Sequence, residues 1–372
     1  MPVSDIDRRT MLRGMGMGAL LLGGGSALAA CSSSASSSST ASAADATATA
    51  AGNFGPLNLR LDWIKYVEFA GEFVADSNGY YKAEGFSSVN LMAGGASAVP
   101  AETDVVQGKA LAGLSTPPLT GAAVAAGAPL KIIGAAWQRN PYCIVYLESK
   151  PIPNPQAMIG KRIGVQAANI SAWHAFLAAN NISPSQLTTV PVQSDPTELT
   201  SGTVDGWYGF ITDEPIRLNQ KGYKVGAFLL ADYHYPLVAQ TILTRTDTIQ
   251  SNRDALKALL RAEIQGWKGA LNSPTLGAKL SVNIYGTNLG LDYQTQILSA
   301  YAENQLVVSA DTKKNGIFTM TPELIAANIA TLNGAGIKVT ADKFFDMSLV
   351  NEVYQEDPAL ITSNIPAVLP TK

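Results

Sequence analysis

The sequence predicts an α/β protein of two lobes, each a mostly parallel β-sheet flanked by helices, with the chain crossing between the lobes twice. Three observations predict it. Strand patterns alternate with helical patterns through residues 57–235, the order that builds parallel sheets. The proline-rich stretch Pro151–Pro155 divides that series into two blocks. Strands such as Leu130–Trp137 and Tyr142–Leu147 are apolar without alternation, as strands covered on both faces are.

Leu57, Leu59 and Leu61 alternate with Asn58, Arg60 and Asp62, the period of a strand. From Val67 the period becomes helical, with Phe69, Phe73 and Val74 on one side. Asn78-Gly79 supplies the helix stop, because both residues tolerate the left-handed conformation. Tyr80–Gly85 reads as a short turn and Val89–Met92 as the second strand. Leu111–Leu114 is the third strand. Ser115-Thr116-Pro117 follows as a cap with proline at the first helical position, leading into Ala122–Ala126. In the second block Arg162–Gln166, Thr189–Val192, Trp207–Ile211 and Val225–Leu230 read as strands. Ile170–Ala179 is a helix, and further helices start at Asp195-Pro196-Thr197-Glu198 and at Asp213-Glu214-Pro215. From Arg253 the chain is mostly helical. Leu256, Leu259, Leu260, Ile264, Trp267 and Leu271 form one stripe behind the cap signal Ser251-Asn252. Leu276–Ile284, Gln294–Glu303 and Pro322–Leu332 fit further helices.

The expected organisation is lobe I over residues 56–150, lobe II over 151–238, and a mostly helical return to lobe I over 239–372. The crossings are expected near Glu148–Pro155 and Tyr235–Thr244. Two crossings make a hinge, and a cleft between hinged lobes closes around a ligand.

The N-terminus reads as an address. Asp7-Arg8-Arg9-Thr10-Met11-Leu12-Arg13 fits a twin-arginine signal, and paired arginines also occur in general secretory signals. Leu28-Ala29-Ala30-Cys31 fits a lipobox better than a plain cleavage site near Ala30, because a Ser/Ala/Thr-rich spacer follows at once. Residues 1–30 are thus expected to be a signal peptide. Residues 31–55 are expected to be a tether lipidated at Cys31, too polar to bury a core. The protein is expected outside the cytoplasm, lipid-anchored to the cell membrane.

Charged residues make up 15% and the hydrophobic set 47%, which suits large buried cores and argues against a disordered or nucleic-acid-binding chain. Residues 1–30 carry three Arg and two Asp, so a total of −3 leaves the remainder at −4, with no polybasic membrane patch. With Cys31 acylated, Cys143 has no partner for a disulfide, and its apolar surroundings mark an inert buried thiol.

The usual catalytic signatures are missing. The only histidines, His174 and His234, have no metal-ligand spacing around them. There is no Gly-x-Ser-x-Gly elbow and no phosphate loop outside the signal segment. Neither a cofactor nor a metal is expected. The candidate residues instead lie at strand ends, where open α/β sheets bind ligands. Trp63, Tyr66 and Glu68 follow the first strand. Gly94 and Gly95 follow the second and allow close backbone approach. Ser115, Thr116, Trp137 and Gln138 close the next two strands of lobe I. In lobe II the set is Gln166, Asn169, Trp207, Tyr208, Asp213, Glu214 and Tyr235. Each has a structural alternative. Asn169 is also a helix cap. Asp213 and Glu214 also sit well at a helix dipole's positive end. The aromatics also suit a core. At a cleft they would stack on a flat ligand.

The runs LDW, FAGEFVADSNGYYKAEGF and LMAGG, with KIIGAAWQRNPYCIVYLESKPIPNPQAMIGKRIGV and VPVQSDPTELTSGTVDGWYGFITDEPIRLNQKGYKV, resemble NMT1/THI5-like solute-binding proteins of ABC importers. The resemblance covers most of residues 56–245. It implies a type II periplasmic-binding-protein fold, a monomer, and a permease and ATPase complex as partner. It also implies an aromatic solute, foremost a thiamine pyrimidine precursor whose exocyclic amine would meet Glu68, Asp213 or Glu214. Riboflavin is the alternative. Distant relatives bind sulfonate, nitrate or bicarbonate, but only Lys65 and Arg139 lie near candidate sites as cations. Eukaryotic members make the thiamine pyrimidine with pyridoxal phosphate and a sacrificed histidine. Phe69 stands where relatives often carry that histidine, and their cysteine-rich motif is missing, so an enzyme is not expected.

Overall fold

The computed structural model describes residues 52–361. The expected signal peptide, Cys31 and most of the expected tether lie outside them.

The first sheet takes β1 (Gly55–Arg60), β2 (Phe86–Met92), β3 (Ala112–Ser115) and β4 (Leu130–Trp137), with β10 (Ala239–Arg245) returning later. Helices α1 (Ala70–Ser77), α2 (Tyr80–Ala83), α3 (Ala101–Val106) and α4 (Pro117–Ala125) connect these strands. The second sheet takes β5 (Tyr142–Leu147), β6 (Arg162–Gln166), β7 (Thr188–Val192), β8 (Gly206–Phe210) and β9 (Val225–Leu229). Its helices are α5 (Ile170–Ala179), α6 (Thr197–Thr200) and α7 (Glu214–Gln220). The C-terminal part adds α8 (Thr246–Ser251), α9 (Arg253–Asn272), α10 (Pro274–Leu280), α11 (Tyr293–Val307), α12 (Ala310–Asn315), α13 (Pro322–Gly334), α14 (Ala341–Phe344) and α15 (Ser348–Glu356).

The sheets share one plan. Their orders are β2-β1-β3-β10-β4 and β7-β6-β8-β5-β9. In each, a single antiparallel strand, β10 or β5, sits beside the edge strand and four strands run the other way. These two antiparallel strands are the ones the chain enters on crossing between sheets.

That plan moves the first crossing. Tyr142–Leu147 belongs to lobe II, because its backbone pairs with β8 on one side and β9 on the other. The crossing is therefore Gln138–Pro141, not Glu148–Pro155. Pro151–Pro155 lies within lobe II, between β5 and β6. The return runs over Leu230–Val238, since β10 begins at Ala239. Asn140 straps the two crossings together. Its Nδ2 donates to the carbonyls of Tyr235 (2.8 Å) and Leu237 (3.2 Å), and its Oδ1 accepts from Tyr142 N (3.2 Å). Tyr80–Ala83 is a short helix where a turn was expected.

Lobe I is closed by the long helix. The α9 stripe of Leu256, Leu259, Leu260, Ile264 and Trp267 packs with Leu57, Leu59, Phe73 and Val74, all buried. Each such aliphatic side chain contributes about 1.5–3 kcal/mol of burial. Cys143 is buried and free. His174 and His234 are exposed. No helix among the described residues is long and apolar enough to cross a membrane.

Candidate functional site

A narrow cavity of about 40 Å³ opens where strands of both sheets end. The segment after β1 delivers Asp62, Trp63, Tyr66 and Glu68 to its wall. The end of β6 delivers Gln166, followed by Ala168 and Asn169. The end of β8 delivers Gly209 and Phe210, followed by Asp213 and Glu214. Leu119 of α4 and Tyr142 of β5 complete it. This is where open α/β sheets hold ligands, because the chain leaves each strand there in a loop or helix start.

The wall is acidic. Glu68 accepts from Gln240 Nε2 at 2.7 Å, while its other oxygen is buried without a partner. Burial, and then neighbouring Asp62, hold the Glu68 carboxyl well above its ordinary range. Asp62 Oδ1 is likewise sealed and unpartnered, and burial pushes its carboxyl up to about 7, with Glu102 adding to the effect. Glu214 reaches back along the strand end. Its Oε2 accepts from Phe210 N at 2.7 Å and its Oε1 from Trp207 Nε1 at 3.3 Å. Burial, reinforced by Asp213, raises Glu214 to about 7. Burial also raises Asp213, against the pull of Arg217, whose Nε lies 2.9 Å away. Glycine at 209 leaves room for this placement, since a Cβ there would stand 2.4 Å from the Glu214 carboxylate and push it from these partners.

Among the described residues neither lysine nor arginine lines the cavity. A buried carboxyl accepts from N–H and O–H donors and, while it keeps its proton, also donates, so the wall suits a neutral, hydrogen-bonding solute and offers an anion no cation. Trp63 and Tyr66 add aromatic side chains to this wall.

The structure divides the expected site residues. Trp63, Tyr66, Glu68, Gln166, Asn169, Asp213 and Glu214 line this cavity, and Gly95 and Ser115 line an adjoining one. Seven others line neither. Gly94 lets the backbone pass close to the strand end, since its Cβ would lie 2.3 Å from the Asp62 carbonyl. Thr116 accepts from the Tyr142 hydroxyl at 3.0 Å, a contact between the lobes. Gln138 donates to the carbonyls of Ala135 (3.0 Å) and Thr319 (3.3 Å). Trp137 is buried in the lobe I core, edge-on to Phe210. Trp207 and Tyr208 point to opposite faces of β8, and helices cover both faces, so both are core residues. Tyr235 packs on Phe176 and donates to the Ala172 carbonyl at 3.1 Å. Asp213 and Glu214 make no side-chain cap bond to α7, and Asn169 none to α5. Asn169 instead donates to Gln166, which donates to the Tyr208 carbonyl.

Sequence reasoning missed Glu303. It lies on α11 with both carboxyl oxygens buried and unpartnered, and burial, then Asp213, raise it well above its ordinary range. One turn earlier Ser299 Oγ is also unpartnered, and Gln296 Oε1 accepts from Val67 N at 2.9 Å. The available signal was a glutamate on the helix face shared by Gln296 and Ser299. Asp62 and Phe210 were missed because each reads as an ordinary strand residue.

Three relatives frame the geometry. A riboflavin-binding protein, RibY, from Chloroflexus aurantiacus is 27% identical over 272 residues, covering 68% of this chain and 74% of the relative. The ligand-binding component of an ABC-type import system from Staphylococcus aureus, solved with zinc bound, superposes with a TM-score of 0.57 at 10% identity, over 80% of this chain and 99% of the other. The periplasmic nitrate-binding protein NrtA from Synechocystis PCC 6803 gives 0.58 at 14% identity, over 82% and 91%. At these identities the solved structures speak for the fold alone. The family model described as NMT1/THI5 like matches residues 66–276, more than half of the sequence. The chain therefore belongs to the NMT1/THI5-like family and has its two-lobed periplasmic-binding-protein fold.

Proposed function

We propose that this protein is the extracytoplasmic solute-binding component of an ABC importer, and that its solute is a small aromatic molecule presenting hydrogen-bond donors. The carrying observation is the wall itself, with four carboxyl groups beside Trp63 and Tyr66 and, among the described residues, no basic one. Riboflavin is the first solute, supported by the likeness to RibY and by the cavity that adjoins the first. A thiamine pyrimidine precursor, placed first from the family resemblance, becomes the second reading. The unpartnered Glu68 oxygen favours it, since it would accept from an exocyclic amine. Sulfonate or nitrate would find no cation on the wall, and Arg139 is already paired with Asp232. The wall offers no Ser, Cys, His or Lys as a nucleophile or Schiff-base former, and Phe69 is packed between Tyr66 and Phe73.

Calorimetric titration tests this reading. Riboflavin or hydroxymethylpyrimidine should bind, and nitrate should not. Trp63→Ala should weaken binding by about tenfold or more, through lost stacking and lost ring burial. Glu68→Gln should weaken the aminopyrimidine more than riboflavin. Nitrate binding, or a folded Trp63→Ala that binds as wild type does, would overturn the reading.

Attachment through Cys31 belongs to the same proposal, because two lipid signals hold a protein stably at a membrane. Cys31→Ala should move the protein from the membrane fraction to the soluble fraction. Unchanged fractionation and mass would rule out the anchor.

A further inference from the structure

A second cavity of about 350 Å³ adjoins the first and shares Asp62, Leu119 and Ala168 with it. Much of its wall is alanine, from the segment after β2 and from α3, α4 and the stretch before α5. Its fixed polar group is Glu102. That residue is buried, and its Oε1 accepts from Ser115 Oγ at 2.5 Å and Thr120 Oγ1 at 2.8 Å. Among the described residues no hydrogen bond reaches its other oxygen. At the shared wall stands the sealed, unpartnered Asp62 Oδ1. Among the described residues no lysine or arginine lines this cavity either.

A single pyrimidine ring would fill only the first cavity. What the second can take follows from its chemistry. Alanine faces accept the C–H edges of a chain, and two carboxylates accept its hydroxyls. A phosphate would meet the same two carboxylates with no cation nearby. The first turns of α3 and α5 border the space, and each would favour an anion by about 0.3–1 kcal/mol. Like-charge contact with a carboxylate costs several kcal/mol and outweighs them, with Asp62 adding to it as it ionises near 7.

We infer that the solute has two parts, a flat ring in the first cavity and an unphosphorylated, hydroxyl-bearing arm in the second, donating to Asp62 and Glu102. This rests on the flavin reading above. It makes riboflavin, with its ribityl chain, the substrate, and excludes riboflavin 5′-phosphate.

The test is calorimetry on the detergent-solubilised full-length protein with riboflavin, with lumiflavin, which keeps the ring and lacks the arm, and with riboflavin 5′-phosphate. Riboflavin should bind about tenfold tighter than lumiflavin, as two modest hydrogen bonds allow. The 5′-phosphate should bind at least about a hundredfold more weakly than riboflavin. Ala122→Phe, which fills the second cavity from α4, should bring riboflavin down to the lumiflavin level and leave lumiflavin unchanged. The wild-type comparison decides the matter even if that variant does not fold. Equal binding of riboflavin and lumiflavin, or tight binding of the 5′-phosphate, would overturn the arm while leaving the flavin reading standing. If no flavin binds, the flavin reading falls, and the arm with it.

Discussion

Trp207→Ala is expected to destabilise the protein by about 3–5 kcal/mol, the usual cost of removing a large buried aromatic side chain. Trp207 is fully buried and packs with Cys143, Val145, Val192, Leu199, Val204, Leu218 and Val225. The substitution leaves a void among residues that sheet pairing holds in place, so relaxation recovers little of the loss. A second effect comes through the indole N–H, which donates to Glu214 at 3.3 Å. Trp207→Phe separates the two. It keeps most of the packing and loses the donor, so it should melt much closer to wild type and still bind solute more weakly. Urea denaturation and thermal melting of both variants, with titration of the folded one, measure this. A Trp207→Ala protein that melts as wild type does would place the indole outside the core.

Stability should fall as the pH rises from 5 to 8. Four raised carboxyls line the cavity, Asp62, Glu68, Asp213 and Glu214, and a fifth, Glu303, is buried within reach of the Asp213 charge. Two more, Glu72 on α1 and Glu263 on α9, lie buried in lobe I. Glu263 Oε1 accepts from Tyr81 OH at 2.6 Å, while the Oε2 atoms of both glutamates have no partner. Burial raises both, and the charge of Glu263 pushes Glu72 further. A carboxyl with a raised folded value holds its proton in the folded state at a pH where the unfolded chain has released it. Its stabilising effect is complete below the unfolded value, near 4.5, and is lost as the pH climbs through about 7. One glutamate shifted from 4.5 to about 7 corresponds to roughly 3 kcal/mol by pH 8. Asp205 and Asp247 are lowered to about 2 by Arg162 and Arg245, and act in the opposite sense only in strong acid. The melting temperature should therefore be higher at pH 5 than at pH 8. Glu263→Gln, which keeps shape without titrating, should flatten that slope. A melting temperature that rises between pH 5 and pH 8 would contradict the burial argument.

Residue periodicity alone locates β6 and α5 at their observed ends, Arg162–Gln166 and Ile170–Ala179, and places the α9 stripe correctly. These elements are legible because their apolar spacing is regular and local. Strand ends are legible too, and with them the acidic residues that follow, so Glu68, Asp213 and Glu214 were identified before their surroundings were. Nothing local marks which sheet a strand joins. β5 reads the same in either lobe, and only its pairing with β8 and β9 assigns it to lobe II.

The direction of an aromatic side chain is decided in the same non-local way. Trp63 and Trp207 both stand near strand ends, yet one lines the cavity and the other is buried behind it. A strand sends alternate side chains to opposite faces, and whether a face is cleft or core depends on which helix packs over it. Glu303 arrives from more than two hundred residues beyond the first strand, carried beside Asp213 by the packing of α11 on α7. The sequence by itself determined the alternation of strands and helices and the family, because both are written in spacing and in residue identity along the chain. Only the tertiary structure decided the crossing strapped by Asn140, the carboxyl-lined wall and the second cavity, because each is made by side chains that chain order keeps apart and packing brings together.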